Sequence, residues 1–331
     1  MIITLIGHLC KDMIHRPGGT EPQQESFGGI MYSLLTLANL MSEKDSIQPV
    51  FGVGQADYDL LMEQLTPYKN IDTSGIFKLK AQTNQVHLFY EQNASTRIEC
   101  SKNISPPIPF TRIKPYLDGD GVLINMVSGS DITLETLDYI RMEIREKGIP
   151  VHFDFHSLTL GIDQEFKRFR RPLTDWRRWC FMLRSIQMSE EEALGLSAEH
   201  YDETTLTNHL MPLMVETFII TRSERGATAI VQDVHKKLTR RNFEGVSFGP
   251  TVDTTGCGDV FGATFFYQSI KAKDSFIGAE FANKAAALNA TMNNARELDG
   301  LRTKLEQLGV VITKPAANGK PTNGSRTQGA V

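Results

Sequence analysis

The sequence predicts an α/β fold: a three-layer α/β/α sandwich on a mostly parallel sheet, with a second, small β-sheet. Two observations carry this. Short, continuous apolar runs rich in β-branched residues alternate with segments of helical periodicity along most of the chain. Between residues 76 and 100 the pattern changes to strict alternation, with Val86, Leu88 and Tyr90, then Ile98 and Cys100. That is the mark of a β-hairpin with one wetter face. No internal repeat is visible, and 331 residues are enough for one large α/β domain or two smaller ones.

Composition narrows the class. The chain is 40% hydrophobic and 22% charged, as ordinary globular proteins are. A formal net charge of -4 gives no global bias toward nucleic acid or an anionic membrane. The four cysteines, Cys10, Cys100, Cys180 and Cys257, form no C-x-x-C pair, which argues against a zinc site or a disulfide scaffold and for a reducing compartment. The apolar run at residues 2–6 is too short for a signal-peptide core, and no stretch approaches the ~20 apolar residues of a membrane span. The expectation is a cytoplasmic protein.

The elements follow in order. Residues 1–6 read as a strand buried on both faces, running into Gly7 and then Asp12, a carboxylate just past the strand's C-terminal end. By itself Asp12 reads equally as a solvated loop acid. Gly28 and Gly29 open a helix over residues 31–41; paired glycines there admit a ligand to the backbone, or simply cap the helix. Residues 48–53 predict a strand and Tyr58–Leu65 the next helix. After the hairpin, Pro106, Pro107 and Pro109 break the chain. Then come strands at 121–126 and 151–154, with a helix at 132–146 between them; His156 follows the second strand, where a lone histidine is more often structural. Lys167, Arg168, Arg170, Arg171, Arg177 and Arg178 form the one strong basic cluster, which reads as a solvated face or as a site for an anionic partner. Residues 180–188 predict a strand, and Ser189 with Glu192 a capping box at the next helix. Residues 218–221 form a further strand, and residues 313–331 a disordered tail of Pro, Gly, Asn, Thr and Ser.

The most informative stretch is Asp253-Thr254-Thr255-Gly256-Cys257-Gly258-Asp259. It precedes Phe261/Phe265 and Phe266/Ile270, pairs at the i,i+4 spacing of a packed helix. Glycines without Cβ atoms let backbone N–H groups approach a ligand at a helix N-terminus, where an anion is favoured. Asp259 falls in the first helical turn, beside that anion site. An anion cradle with an adjacent base suits phosphoryl transfer to a hydroxyl. Asp, Thr and Gly are also ordinary residues of a capped helix start.

These seven residues resemble the C-terminal signature of the PfkB/ribokinase family of carbohydrate and nucleoside kinases, D-T-x-G-A-G-D-x-F, with Cys257 in place of the usual Ala. The resemblance runs in order through about residues 1–312. It implies a ribokinase-like sandwich whose lid is a small β-sheet built from about residues 8–27 and 76–104. It implies Asp259 as the base, and the amides of Gly256, Cys257 and Gly258 as the anion hole. Asp12, Gly28 and Gly29 would hold the acceptor, together with Ser33, which stands where the family's G-G-x-x-x-N carries Asn. Thr221, Ser223 and Gly226 correspond to the T-x-G-x-x-G turn that meets the ATP phosphates, with Ser223 in place of Gly. Arg222 or Arg225 could supply charge there. Asn283, in Phe281-Ala282-Asn283-Lys284-Ala285-Ala286-Ala287, would lie near the adenine. Glu192, in S-x-x-E where the family has N-x-x-E, would organise water-bound Mg²⁺, and Asp253 a monovalent cation such as K⁺.

The expected activity is therefore an ATP- and Mg²⁺-dependent kinase for a sugar or nucleoside hydroxyl. An exposed lid edge could pair with another subunit to give a homodimer, but the sequence does not fix the oligomeric state. The serines at 33, 189 and 223 motivate the alternative of a catalytically degenerate, ligand-binding relative. A nicotinamide enzyme is disfavoured, since no G-x-G-x-x-G follows the first strand.

Overall fold

A computed structural model describes residues 1–15, 22, 24–90 and 97–310. The expected tail, the tip of the hairpin and part of the first lid segment lie outside the described residues. Within them the strands are β1 (Ile2–Ile6), β2 (Leu9–His15), β3 (Gln24–Gly29), β4 (Ser46–Gly54), β5 (Ile76–Leu79), β6 (Asn84–Tyr90), β7 (Arg97–Lys102), β8 (Gly121–Asn125), β9 (Val151–Asp154), β10 (Leu160–Ile162), β11 (Arg168–Arg170), β12 (Ser185–Ser189), β13 (Thr217–Thr221), β14 (Ala227–Gln232) and β15 (Leu238–Phe243). The helices used below are α1 (Ile30–Leu40), α2 (Tyr58–Leu65), α3 (Phe110–Ile113), α4 (Leu134–Arg145), α5 (Trp176–Cys180), α6 (Glu190–Gly195), α7 (Glu203–Leu210), α8 (Cys257–Ala272) and α9 (Ser275–Asn289).

The large sheet has the order β15-β14-β13-β12-β9-β8-β1-β4-β5. It is parallel from β5 to β13 and antiparallel only at β14 and β15. The central strands β1 and β8 are mostly apolar, with β-branched residues, because both their faces are covered, and all four residues of β9 are buried as well. Successive residues of β9 show the two layers. His152 packs its ring on Phe265 and Phe266 of α8, while Phe153 turns the other way onto Trp179 of α5. The outermost strand, β15, exposes Arg240 and Arg241, charges that discourage pairing with another sheet edge.

The small sheet has the order β3-β2-β6-β7. It is joined to the large sheet by very short connections: two residues separate β1 from β2, and β3 runs directly into α1. Its β7 edge is partly covered, because Ser101 N–H donates to the Phe166 carbonyl and Cys100 bridges Lys167. The β10–β11 ribbon that carries these residues was not expected from the sequence.

Four expectations are corrected. Asp12 is not in a loop after β1 but inside β2, buried in the small sheet. Residues 76–79 belong to the edge of the large sheet, since β5 pairs in parallel with β4. The strand expected over 180–188 starts only at Ser185. Trp176 and Trp179 bury themselves by coiling residues 176–180 into α5, and Met182 then reverses the chain at φ 56°. The basic cluster also does not form one face. Arg168 donates to the Ser101 hydroxyl and the Ser128 carbonyl, Arg170 pairs with Glu191, and Arg178 pairs with Asp138.

All four cysteines are free thiols. Among the described residues no helix is long and apolar enough to cross a membrane.

Candidate active site

The Asp253–Asp259 stretch forms a tight turn that opens α8. The Asp253 Oδ1 accepts from the Thr255 N–H at 2.8 Å and from the Thr255 hydroxyl at 2.7 Å. Gly256 caps the helix at φ 78°, a left-handed conformation that favours glycine. A Cβ on Gly256 would also lie 2.1 Å from the ring of Tyr32, which packs on the turn from α1. Within the expected anion hole, the Cys257 N–H is directed at the Thr254 carbonyl at 3.2 Å. That leaves Gly256 and Gly258 as first-turn donors without a backbone acceptor among the described residues.

Asp259 is buried, at 4% exposure, where several strand ends converge. Its Oδ1 accepts from the Asn125 amide, at the end of β8, at 2.5 Å. Its Oδ2 lies 3.9 Å from Nε2 of His156, just past β9. Its carbonyl accepts from the Ser33 hydroxyl at 3.3 Å, and Asn125 also reaches Ser33 at 3.4 Å. Ser33 is thus buried against Asp259. Burial pushes the Asp259 carboxyl above its ordinary range, although His156 and the Asn125 amide pull it back. A raised carboxylate is better matched to accepting a proton near neutral pH.

The surrounding charges belong to one cluster. Gln187 of β12 donates to the Asp154 Oδ2 at 3.2 Å and to the Gly258 carbonyl at 2.9 Å, tying α8 to β9. Burial raises Asp154 strongly, and the charges of Glu192 and Asp259 add to it. Burial alone would lower His156, but Asp259, Asp154, Glu192 and Glu99 outweigh it and hold the imidazole above its usual range. Glu192 completes the expected capping box: its Oε2 accepts from the Ser189 N–H at 2.8 Å, and its own N–H donates to the Ser189 hydroxyl. Burial raises Glu192 too.

From the small sheet, the Asp12 carboxylate occupies the space that a Cβ on Gly28 would fill, with Oδ2 1.9 Å from that position. Gly28 is therefore required for Asp12 to lie where it does. Gly29 starts α1 at φ 59° against the Cys10 thiol. Tyr90, at the end of β6, donates its hydroxyl to Asp253 Oδ1 at 3.2 Å, so the small sheet touches the anion turn.

The residues expected at the nucleotide lie at the end of β13, in the turn after it and on α9. Ser223 takes φ 50° and Gly226 φ 87°, so the loop keeps a left-handed residue where the family's glycine would stand. A Cβ on Gly226 would meet the Phe243 carbonyl at 2.0 Å, so the turn beginning at Thr221 presses directly on the segment after β15. Asn283 donates to the Glu244 carbonyl at 2.7 Å and fixes the same segment to α9. Arg222 and Arg225 are engaged elsewhere: Arg222 pairs with Glu190 and Glu203, and Arg225 with Glu190. The charge expected from them is thus already matched by carboxylates. Asn125, Tyr32, Gln187 and Asn289, whose amide donates to the Thr255 carbonyl at 3.0 Å, are site residues that sequence reasoning missed. Their local sequence carries no motif, and only the convergence of distant strands and helices brings them in.

Residues 183–300 match the model of the pfkB family carbohydrate kinases, a span that holds the anion turn, Asp259, Glu192 and Asn283. That match covers about a third of the chain. Solved structures extend a likeness of fold over the rest of the chain. One is a pyrophosphate-dependent kinase in the ribokinase family bound to sulfate, at TM-score 0.70 and 17% identity, covering 90% of this chain and 99% of that one. Another is the ribokinase of Thermotoga maritima, at TM-score 0.66 and 18% identity, covering 91% and 99%. A third is the Burkholderia thailandensis nucleoside kinase in complex with inosine, at TM-score 0.67 and 16% identity, covering 93% and 98%. At such identities these likenesses speak to the fold. No curated protein matches the chain by sequence.

Proposed function

We propose that this protein is an ATP-dependent kinase that moves the γ-phosphoryl group to a hydroxyl of a sugar or nucleoside. The observation that carries the reading is Asp259. It is buried in the first turn of α8, beside the Gly256 and Gly258 amides and among converging strand ends. Asp259 takes the proton of the acceptor hydroxyl as that oxygen attacks phosphorus, and the helix amides meet the charge on the phosphoryl oxygens. Asp12 holds acceptor hydroxyls from the small sheet, which acts as a lid excluding competing water. Thr221, Ser223 and Gly226 line the donor phosphates and Asn283 the base of the nucleotide.

Magnesium fits Glu192. Among the described residues no three His, Cys, Asp or Glu groups gather for direct ligation, whereas a magnesium that keeps its waters needs only such an outer carboxylate. When bound it would neutralise donor phosphate charge. At Asp253, Oδ1 is already satisfied by Thr255 and Tyr90, so a monovalent cation such as K⁺ would be held by the other oxygen.

Pyrophosphate is the second donor to test. Arg222 and Arg225 are tied to carboxylates and the turn lies against the segment after β15, while a pyrophosphate-dependent kinase is among the similar folds. The deciding experiment is a panel of sugars, polyols and nucleosides with Mg²⁺, offered with ATP and read by ADP release, or with pyrophosphate and read by phosphate release. Turnover with ATP supports the proposal, and turnover only with pyrophosphate changes the donor. Tight binding of one compound with no turnover on either arm replaces it with the degenerate, ligand-binding reading.

A further inference from the structure

We propose that His156 is a further catalytic residue, one that donates a hydrogen bond to the migrating phosphoryl group from the side opposite the helix amides. The inference rests on the kinase reading above.

His156 has the geometry of a residue held in place at a cost. It is a non-glycine at φ 38°, in the left-handed region that strains a side chain-bearing residue. Bonds on either side fix it there. The Phe155 N–H donates to the Gln187 carbonyl of β12, and the Ser157 N–H to the Met126 carbonyl just past β8. Its Nδ1 is engaged by the Ser157 hydroxyl at 2.9 Å, which leaves Nε2 as the outward nitrogen. That Nε2 stands 3.9 Å from Asp259 Oδ2, beyond hydrogen-bond reach but close enough to face the same reacting atoms. About a third of the side chain is open, at 34%, whereas Asp259 lies behind it at 5%.

The neighbouring arginines and Lys11 are already matched by carboxylates or buried. Transfer of a phosphoryl group calls for positive charge at its oxygens. Arg222 and Arg225 are paired with Glu190 and Glu203, Lys11 with Glu25 and Asp57, and Arg170 with Glu191. Arg168 is buried on Ser101 and the Ser128 carbonyl beside Glu99. His156 is the cation that weighs most, after burial itself, on Asp259, Asp154 and Glu192. Those three carboxylates, from α8, β9 and α6, and Glu99 from β7 face the imidazole and favour its protonated form.

The step balances without another reagent. The acceptor oxygen forms its bond to the γ-phosphorus while its proton passes to Asp259. The bond from that phosphorus to the bridging oxygen breaks, and ADP leaves with the electron pair. The imidazolium donates a charge-assisted hydrogen bond to a non-bridging oxygen throughout and emerges unchanged.

The test uses the full chain, MgADP and orthovanadate, a mimic of the phosphoryl group in flight. Isothermal titration measures how much vanadate tightens ADP binding in the wild type, His156→Leu and His156→Gln. The expected result is a vanadate gain reduced at least about tenfold in His156→Leu and partly restored in His156→Gln, with binding of ADP alone unchanged. Equal gains in the wild type and a folded His156→Leu overturn the assignment. If that variant does not fold, His156→Gln decides: a reduced gain supports the role and an unchanged gain overturns it. A wild type that binds neither ADP nor vanadate overturns the ATP-dependent reading and this inference together, whereas a normal wild type with unaffected variants overturns this inference alone.

Discussion

The Asn125 amide nitrogen lies 2.5 Å from Oδ1 of Asp259, joining the end of β8 to the first turn of α8 across 134 positions of sequence. The same amide reaches the Ser33 hydroxyl, which in turn donates to the Asp259 carbonyl. Asn125 therefore orients the Asp259 carboxylate itself, while Ser33 holds the backbone that carries it.

Asp259→Asn should fold and bind nucleotide as the wild type does but lose at least ~10² in turnover, the usual scale for a base. Steady-state rates with titration of ADP check this. Unchanged turnover would remove Asp259 from the role of base.

Asn125→Ala takes away a donor that lowers the Asp259 carboxyl, so the group should titrate at higher pH. A base works only when deprotonated, so the acidic limb of the kcat profile should move upward in pH, with a rate loss of about tenfold at neutral pH. A pH–rate profile that overlays the wild type would mean that the contact does not tune the base.

Gly256→Ala would force an L-residue to hold φ 78° and drive a methyl group into the Tyr32 ring. The expected cost is roughly 2 kcal/mol or more in urea unfolding, with activity lost along with the turn.

His152 should make the protein acid-sensitive. Burial between β9 and α8 lowers it from 6.5 to about 3, so the folded chain holds it neutral. Between those values the unfolded chain takes up a proton that the folded chain does not, and stability falls as pH drops from about 6.5. Urea midpoints at pH 7 and pH 5 should therefore differ less in His152→Gln than in the wild type. Equal differences would show that His152 is not the group responsible.

Ser223→Gly relieves a left-handed residue at the cost of backbone freedom in the unfolded chain. The balance should be a small gain, about 0.5 kcal/mol, seen as a raised Tm. A clear loss would mean that the Ser223 side chain is needed in the turn.

Much of the frame was legible because its signals are local. Helix α2 spans the expected Tyr58–Leu65, the Ser189–Glu192 capping box forms, and Gly256 caps the helix that carries Asp259. What stayed hidden depends on chain segments far apart in sequence. Asn125 reads as one polar residue ending an apolar strand, and Tyr32 as one more apolar position in a buried helix. Neither announces that a helix start some hundred or more positions later will rest on it. Arg222 and Arg225 looked like free charge because their partners, Glu190 and Glu203, lie on α6 and α7. Alternating apolar residues marked a hairpin but could not show that β5 leaves it for the large sheet, since a strand's partner is chosen by tertiary contact.

The short connections between the two sheets have a mechanical consequence. With two residues between β1 and β2, and none between β3 and α1, the small sheet cannot swing on a slack tether. Any tilt of that sheet is levered into the first turns of α1, where Tyr32 bears on Gly256 and Ser33 on Asp259. Closing over an acceptor and aligning the carboxylate would thus be one displacement, felt at both ends of the same helix start.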